Sequence, residues 1–107
     1  MVINQIDTRR DMYYRITNAK VRLGMYDEAM LTMESLRESI GNINGLITSR
    51  LIRISETELV GVAAYESKEH LDASQAEFTE LMSSMAQYMA APPSISYGEQ
   101  VFSFNGE

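Results

Sequence analysis

The 107-residue chain contains no cysteine. That excludes a disulfide framework, a cysteine-ligated metal and a thiol nucleophile. It has one histidine, His70, and a lone histidine without a second His or a clustered carboxylate is a poor metal site. Basic residues are few: nine Lys and Arg stand against fifteen Asp and Glu, for a net charge of −6. They are scattered, apart from the Arg9-Arg10 pair. Binding phosphates needs a basic surface, so nucleic acid is not expected as a partner. No stretch approaches the roughly 20 apolar residues of a membrane span, so a membrane partner is not expected either. The opening MVINQIDTRRD carries charge early and has no continuous apolar core, which does not fit a secretory signal. A soluble, cytoplasmic protein is the expectation. No Ser-His-Asp order, phosphate-cradling glycine loop or Walker-type motif is present.

What is there is a hydrophobic fraction of 45%, ordinary for a globular chain and enough for one two-layer core. Residues 1–11 read as a polar arm, 12–104 as a single domain and 105–107 as a tail. MYYRITNAKVRL (12–23) is rich in aromatic and β-branched residues and predicts a first strand. From Tyr26 to Ile40 the apolar residues Tyr26, Ala29, Met30, Met33, Leu36 and Ile40 recur at helical spacing. GNING (41–45) stops that helix. LITSRLIRI (46–54) predicts a second strand, and Glu58 leads into a third that ends at Tyr65. Ser67 fits an N-cap, with Glu69 in the first turn. Leu71, Phe78, Leu81, Met82, Met85 and Met89 form the inner stripe of a second helix, stopped by Pro92-Pro93. SISYGEQVFSF (94–104) is a last strand.

The order β-α-β-β-α-β predicts an α+β, ferredoxin-like sandwich, with two helices on one face of a four-stranded sheet. Right-handed crossovers suggest strands one and three side by side and parallel in the middle. The helices cover one face only, and the other carries Val60, Val62 and Ala64. A bare apolar sheet face reads as an interface, most simply a twofold homodimer that pairs sheet to sheet.

The junction VGVAAYESKEHLDAS, preceded by GLITSRLIRISETEL, resembles the antibiotic-biosynthesis monooxygenase group of dimeric α/β-barrel proteins. Members commonly show a Gly-containing loop, a strand and hairpin, then an aromatic residue and a short polar helix start. Here those features are Gly45, the 46–65 hairpin and Tyr65-Glu66-Ser67-Lys68-Glu69. The resemblance spans roughly residues 12–104. It implies a small homodimer. It also implies, for some members, oxygenation of aromatic polyketides or quinols without a metal or bound flavin, so no cofactor is expected. A haem-degrading branch has an asparagine on the first strand, a tryptophan ending the third and an iron-binding histidine on the second helix. Asn18, before AKVRLG, matches the asparagine, and Tyr65 stands where the tryptophan would be. FTELMSSMAQYM has no histidine, so haem degradation is not implied.

Asn18 and Tyr65 are the candidate catalytic pair. An amide or phenol of this kind would orient a substrate phenol and stabilise its anion while the substrate reduces O2. If strands one and three are parallel neighbours, both residues lie near the same sheet edge. Alternation groups Tyr14, Ile16 and Asn18 on one face of strand one, and Leu59, Gly61, Ala63 and Tyr65 on one face of strand three. If these face the helices, Gly61 and Ala63 leave room for a small apolar or aromatic ligand, with Met33, Phe78 and Met82 against it. Plainer readings stand beside each. Gly61 and Ala63 serve close helix–sheet packing, the methionines serve as core, Asn18 bonds a turn, Tyr65 is a core aromatic, and His70 is solvated. Two functions remain open: a cofactor-independent monooxygenase acting on an aromatic or quinone-like molecule, and a non-catalytic dimeric ligand-binding or accessory module.

Overall fold

The computed structural model describes residues 12–106. The expected arm 1–11 and the last residue of the expected tail lie outside the described residues. The elements are β1 (Tyr13–Lys20), α1 (Tyr26–Ser35), α2 (Arg37–Gly41), β2 (Leu46–Arg53), β3 (Glu58–Tyr65), α3 (Lys68–Ala73), α4 (Gln75–Met85), a 3-10 turn (Ala86–Tyr88) and β4 (Ser94–Glu99). The four strands form one sheet in the order β2-β3-β1-β4. This is the α+β ferredoxin-like sandwich, with the helices on one face.

Every strand pair is antiparallel, which corrects the expectation that β1 and β3 run parallel. The crossover through α1 makes β1 and β2 point the same way. The β2–β3 hairpin then reverses the chain and slots β3 between them. Strand β3 occupies the predicted 58–65, because the apolar run ends where Ser67 starts a helix. Ser67 accepts a bond from the His70 backbone N–H at 3.2 Å and so caps α3 as its sequence suggests.

Both predicted helices are broken. The first bends at Leu36 (φ −97°, ψ 0°). The second breaks at Ser74, where φ is −90° and ψ is 5°. The Ser74 hydroxyl donates to the Leu71 carbonyl at 2.7 Å. Such back-bonding competes with the helical ladder, and it turns the chain so that α3 and α4 share one side of the sheet. Gly45 takes φ +81°, and a Cβ there would collide with the His70 ring. The position therefore needs glycine for backbone and space alike.

Directly opposed residues share a sheet face. Arg15 pairs with Ala63, Thr17 with Gly61 and Ala19 with Leu59, and all of these face the helices. Tyr14, Ile16 and Asn18 oppose Ala64, Val62 and Val60 on the open face. Arg50 and Ile52 from β2 join them there, with Ser94 and Ser96 from β4. The helix-side core centres on Ala29, Met85 and Tyr88, with Met25, Met30, Met33 and Met89 packed around them. The Tyr88 hydroxyl meets Thr32 Oγ1 at 2.6 Å, tying the 3-10 turn to α1.

Candidate functional site

Between the sheet and the helices lies a cavity of about 110 Å3. Its floor is the helix-facing row of β1 and β3, where small side chains meet. Gly61 lies opposite Thr17 and Ala63 opposite Arg15, so β3 puts no large side chain into the space above these two positions. Met33 from α1 and Phe78, Leu81, Met82 and Met85 from α4 form the roof. A methionine-rich wall adapts its shape at low cost.

One end of the cavity is polar, and its centre is Arg15. This residue is only 2% exposed. Its Nη1 donates to the Tyr65 hydroxyl at 2.8 Å. Nη2 donates to Ser74 Oγ at 3.3 Å and to Gln75 Oε1 at 2.5 Å. The break between α3 and α4 thus aims two acceptors at the guanidinium. Gln75 also reaches the Tyr97 hydroxyl at 3.5 Å, and Tyr97 lies directly opposite Arg15 on β4. The guanidinium carbon sits 3.9 Å from the Phe78 ring centroid and 5.4 Å from that of Tyr65. Stacking of this kind, when desolvated, is worth about 2 kcal/mol. The neutral acceptors and the ring soften the cost of burying the charge. No carboxylate among the described residues pairs with Arg15; the ion pairs there are Lys20–Glu58, Arg37–Glu34 and Lys68–Asp72, all on the surface. Arg15 Nε is buried and has no hydrogen-bond partner.

Six of the seven residues singled out from sequence, Tyr65, Gly61, Ala63, Met33, Phe78 and Met82, line this cavity. Asn18 does not. It pairs with Val60, whereas Tyr65 pairs with Tyr13, so the two are five rungs apart, about 17 Å at strand rise. Asn18 is exposed and sits on the open face. The shared-edge argument for Asn18 and Tyr65 falls with the parallel pairing on which it stood. The parity of β1 was inverted for a second reason. Alternation groups Tyr14, Ile16 and Asn18 on one face, inward if that face meets the helices, but the inward face belongs to Arg15, Thr17 and Ala19, and Arg15 is met there by groups from other elements.

Arg15, Ser74 and Gln75 escaped the sequence reading. One signal was present: Arg15, Thr17, Ala19 and Val21 alternate as a progressively plain row that matches the small residues of β3. His70 was expected in solvent. Its ring instead packs on Gly45, and its Nδ1 lies 2.7 Å from Ser67 Oγ, a structural role at the start of α3. Among the described residues no three His, Cys, Asp or Glu side chains cluster as a metal site.

The fold and this cavity define a ferredoxin-like α+β domain with a small-molecule-sized space under its helices. No family model matches the chain, and no curated protein matches it in sequence. Solved structures do match in fold. A protein from Caulobacter crescentus, provisionally designated an antibiotic biosynthesis monooxygenase, is 20% identical with a TM-score of 0.74, over 92% of this chain and 98% of that one. SnoaB from Streptomyces nogalater, a cofactor-independent oxygenase, is 11% identical with a TM-score of 0.75, over 90% and 99%. The ActVA-Orf6 monooxygenase of Streptomyces coelicolor, solved with nanaomycin D, is 14% identical with a TM-score of 0.74, over 96% and 99%. The fold suggested by the Tyr65-to-Ser67 junction is therefore the fold observed.

Proposed function

We propose that the chain is a small cofactor-independent oxygenase of the antibiotic biosynthesis monooxygenase type, acting on an aromatic or quinone-like molecule. The observation that carries this reading is the cavity, lined mostly by apolar side chains, with Arg15 hydrogen-bonded to Tyr65 at one end. An apolar space with a few convergent polar groups is the usual form of a small-molecule site. The likeness in fold to two oxygenases supports the chemistry assigned to it.

In this reading Gly61 and Ala63 make room for a flat ring, and Met33, Phe78 and Met82 contact its faces. Tyr65 accepts a hydrogen bond from Arg15, so its own proton is directed to a ligand oxygen. The substrate supplies the electrons. A phenol with an open para position takes one atom of O2 into the ring and releases the other as water, becoming the quinone. Asn18 has no part in the cavity. It sits beside Val60 on the opposite sheet face, and in this reading it belongs to a sheet-to-sheet homodimer interface instead.

A second reading, a non-catalytic dimeric binding module, is favoured by one observation. The polar end holds an arginine, a tyrosine, a serine and a glutamine, and among the described residues no carboxylate or histidine lines the cavity to carry a proton away. Incubation of the purified protein with a panel of quinols and phenols under 18O2 separates the two. The oxygenase reading expects O2 uptake and a product heavier by one 18O atom, lowered more than 10-fold in Tyr65→Phe. Tight binding across the panel with no uptake overturns it in favour of the module.

A further inference from the structure

Arg15 holds a full positive charge in a place that water scarcely reaches. Its 2% exposure is that of a core residue, yet its hydrogen-bonded partners, Tyr65, Ser74 and Gln75, are all neutral. Buried cations are ordinarily paired with an anion, because neutral acceptors recover only part of the lost hydration. A second observation points the same way. Nε is buried and makes no hydrogen bond, in a side chain that lines the cavity. Both N–H groups of Nη2 and one of Nη1 are anchored, and one face is closed by the Phe78 ring at 3.9 Å. The free donor and the uncompensated charge therefore belong to one missing partner. Arg15 lines the cavity and pairs with no carboxylate among the described residues, so an anion bound in the cavity is the partner this arrangement suits.

We propose that Arg15 is the anion-recognition group of the cavity and that the ligand is a single-ring aromatic compound bearing one negatively charged oxygen. The size follows from the volume. An apolar cavity of about 150 Å3 accepts benzene, and this one is about 110 Å3, so one ring fits with a small outward adjustment of the methionine wall. The charge follows from Arg15. One anionic oxygen satisfies Nε and neutralises the single buried cation, whereas a dianion would leave a second charge in an apolar wall. A carboxylate and an ionised phenol both meet this description. The inference rests on the cavity being the binding site, and it adds the class of ligand to the function proposed above.

Calorimetric titration with two pairs of probes tests it. Benzoate is compared with benzamide, and 2,4-dinitrophenolate with 2,4-dinitroanisole, at neutral pH. Each pair shares a ring and differs in charge. The expected result is at least 10-fold tighter binding of one or both anions than of their neutral partners. Tighter binding of benzoate alone identifies a carboxylate ligand, and of the phenolate alone an acidic phenol. In Arg15→Lys the preference for the anion is retained but reduced, because the ammonium keeps the charge and loses the fork. In Arg15→Met the preference vanishes while the neutral probes still bind. Thermal denaturation checks that both variants fold. Equal binding of charged and neutral probes to the wild type overturns the anion assignment and leaves the oxygenase reading standing. Anion-selective binding lost in Arg15→Met, with no O2 uptake for any phenol, sustains the assignment and removes the oxygenase. No binding of any probe overturns the assignment together with the cavity as a site.

Discussion

Gly61 is the residue on which the cavity depends most directly. A Cβ at this position would lie 3.3 Å from Leu51 Cδ2 and 3.8 Å from Thr17 Cβ. Leu51 is 43% exposed, so its methyl end moves aside by a few tenths of an ångström. The outer methyls of a larger residue then enter the cavity. Gly61→Val is therefore expected to keep the fold, with a stability loss below about 1 kcal/mol, and to abolish binding of benzoate-sized probes. Overpacking of an already filled interior costs about 1–3 kcal/mol. Urea denaturation that shows a loss of that size, with probe binding unchanged, would mean the cavity is not the binding space.

At the scale of elements, the strand-to-helix junction from β3 into α3 organises the polar end. Tyr65 ends the strand, Ser67 starts the helix and Ser74 ends it, so the chain turns twice within ten residues. The cap at Ser67 holds the first turn through the His70 N–H, and the His70 ring in turn covers Gly45. Loss of such a cap costs about 1 kcal/mol. Ser67→Ala is expected to lower stability by about that amount in chemical denaturation, and Ser67→Asp to restore it, since a carboxylate caps equally well. Failure of Asp to rescue would show that the hydroxyl serves His70 Nδ1 rather than the helix end. The break at Ser74 has a different use. A continuous helix would carry Ser74 and Gln75 past Arg15. The break points both at it, exchanging helical regularity for acceptors around a buried charge.

At the scale of the whole molecule, one sheet face is covered by helices, and no helix among the described residues covers the other. The bare face carries Ile16, Val60, Val62 and Ile52 among Asn18, Arg50, Ser94 and Ser96. Beyond β4 the chain continues without regular structure, and Val101, Phe102 and Phe104 are 87%, 82% and 82% exposed. Two separate apolar surfaces of this kind are unusual on a lone small domain. The expected assembly is a homodimer through the sheet face, with the 101–104 segment reaching the partner. Light scattering should give twice the chain mass of 12.1 kDa. Val62→Glu should shift the protein toward single chains, because an unpaired carboxylate would be buried at the centre of the face. A wild type that stays a stable single chain at micromolar concentration would remove the dimer.

The sequence by itself determined the order of elements, the limits of β3, the cap at Ser67 and the inward row Leu59, Gly61, Ala63 and Tyr65. These are local properties: a period of two, a run of β-formers and a hydroxyl at the head of a helix are written in neighbouring residues. It also carried the fold, through the Tyr65-to-Ser67 junction. Only the tertiary structure decided the direction of β3 against β1, which follows from where the hairpin inserts. It alone decided the parity of β1. By its own chemistry Arg15 is a residue for solvent. It turns inward because Tyr65, Ser74 and Gln75, which lie 50, 59 and 60 residues away in the chain, converge on it. Such a partnership joins β1, β3 and the α3–α4 break, and no window of sequence contains it. Asn18 was displaced by the same fact: once Arg15 faces the helices, alternation sends Asn18 to the open face.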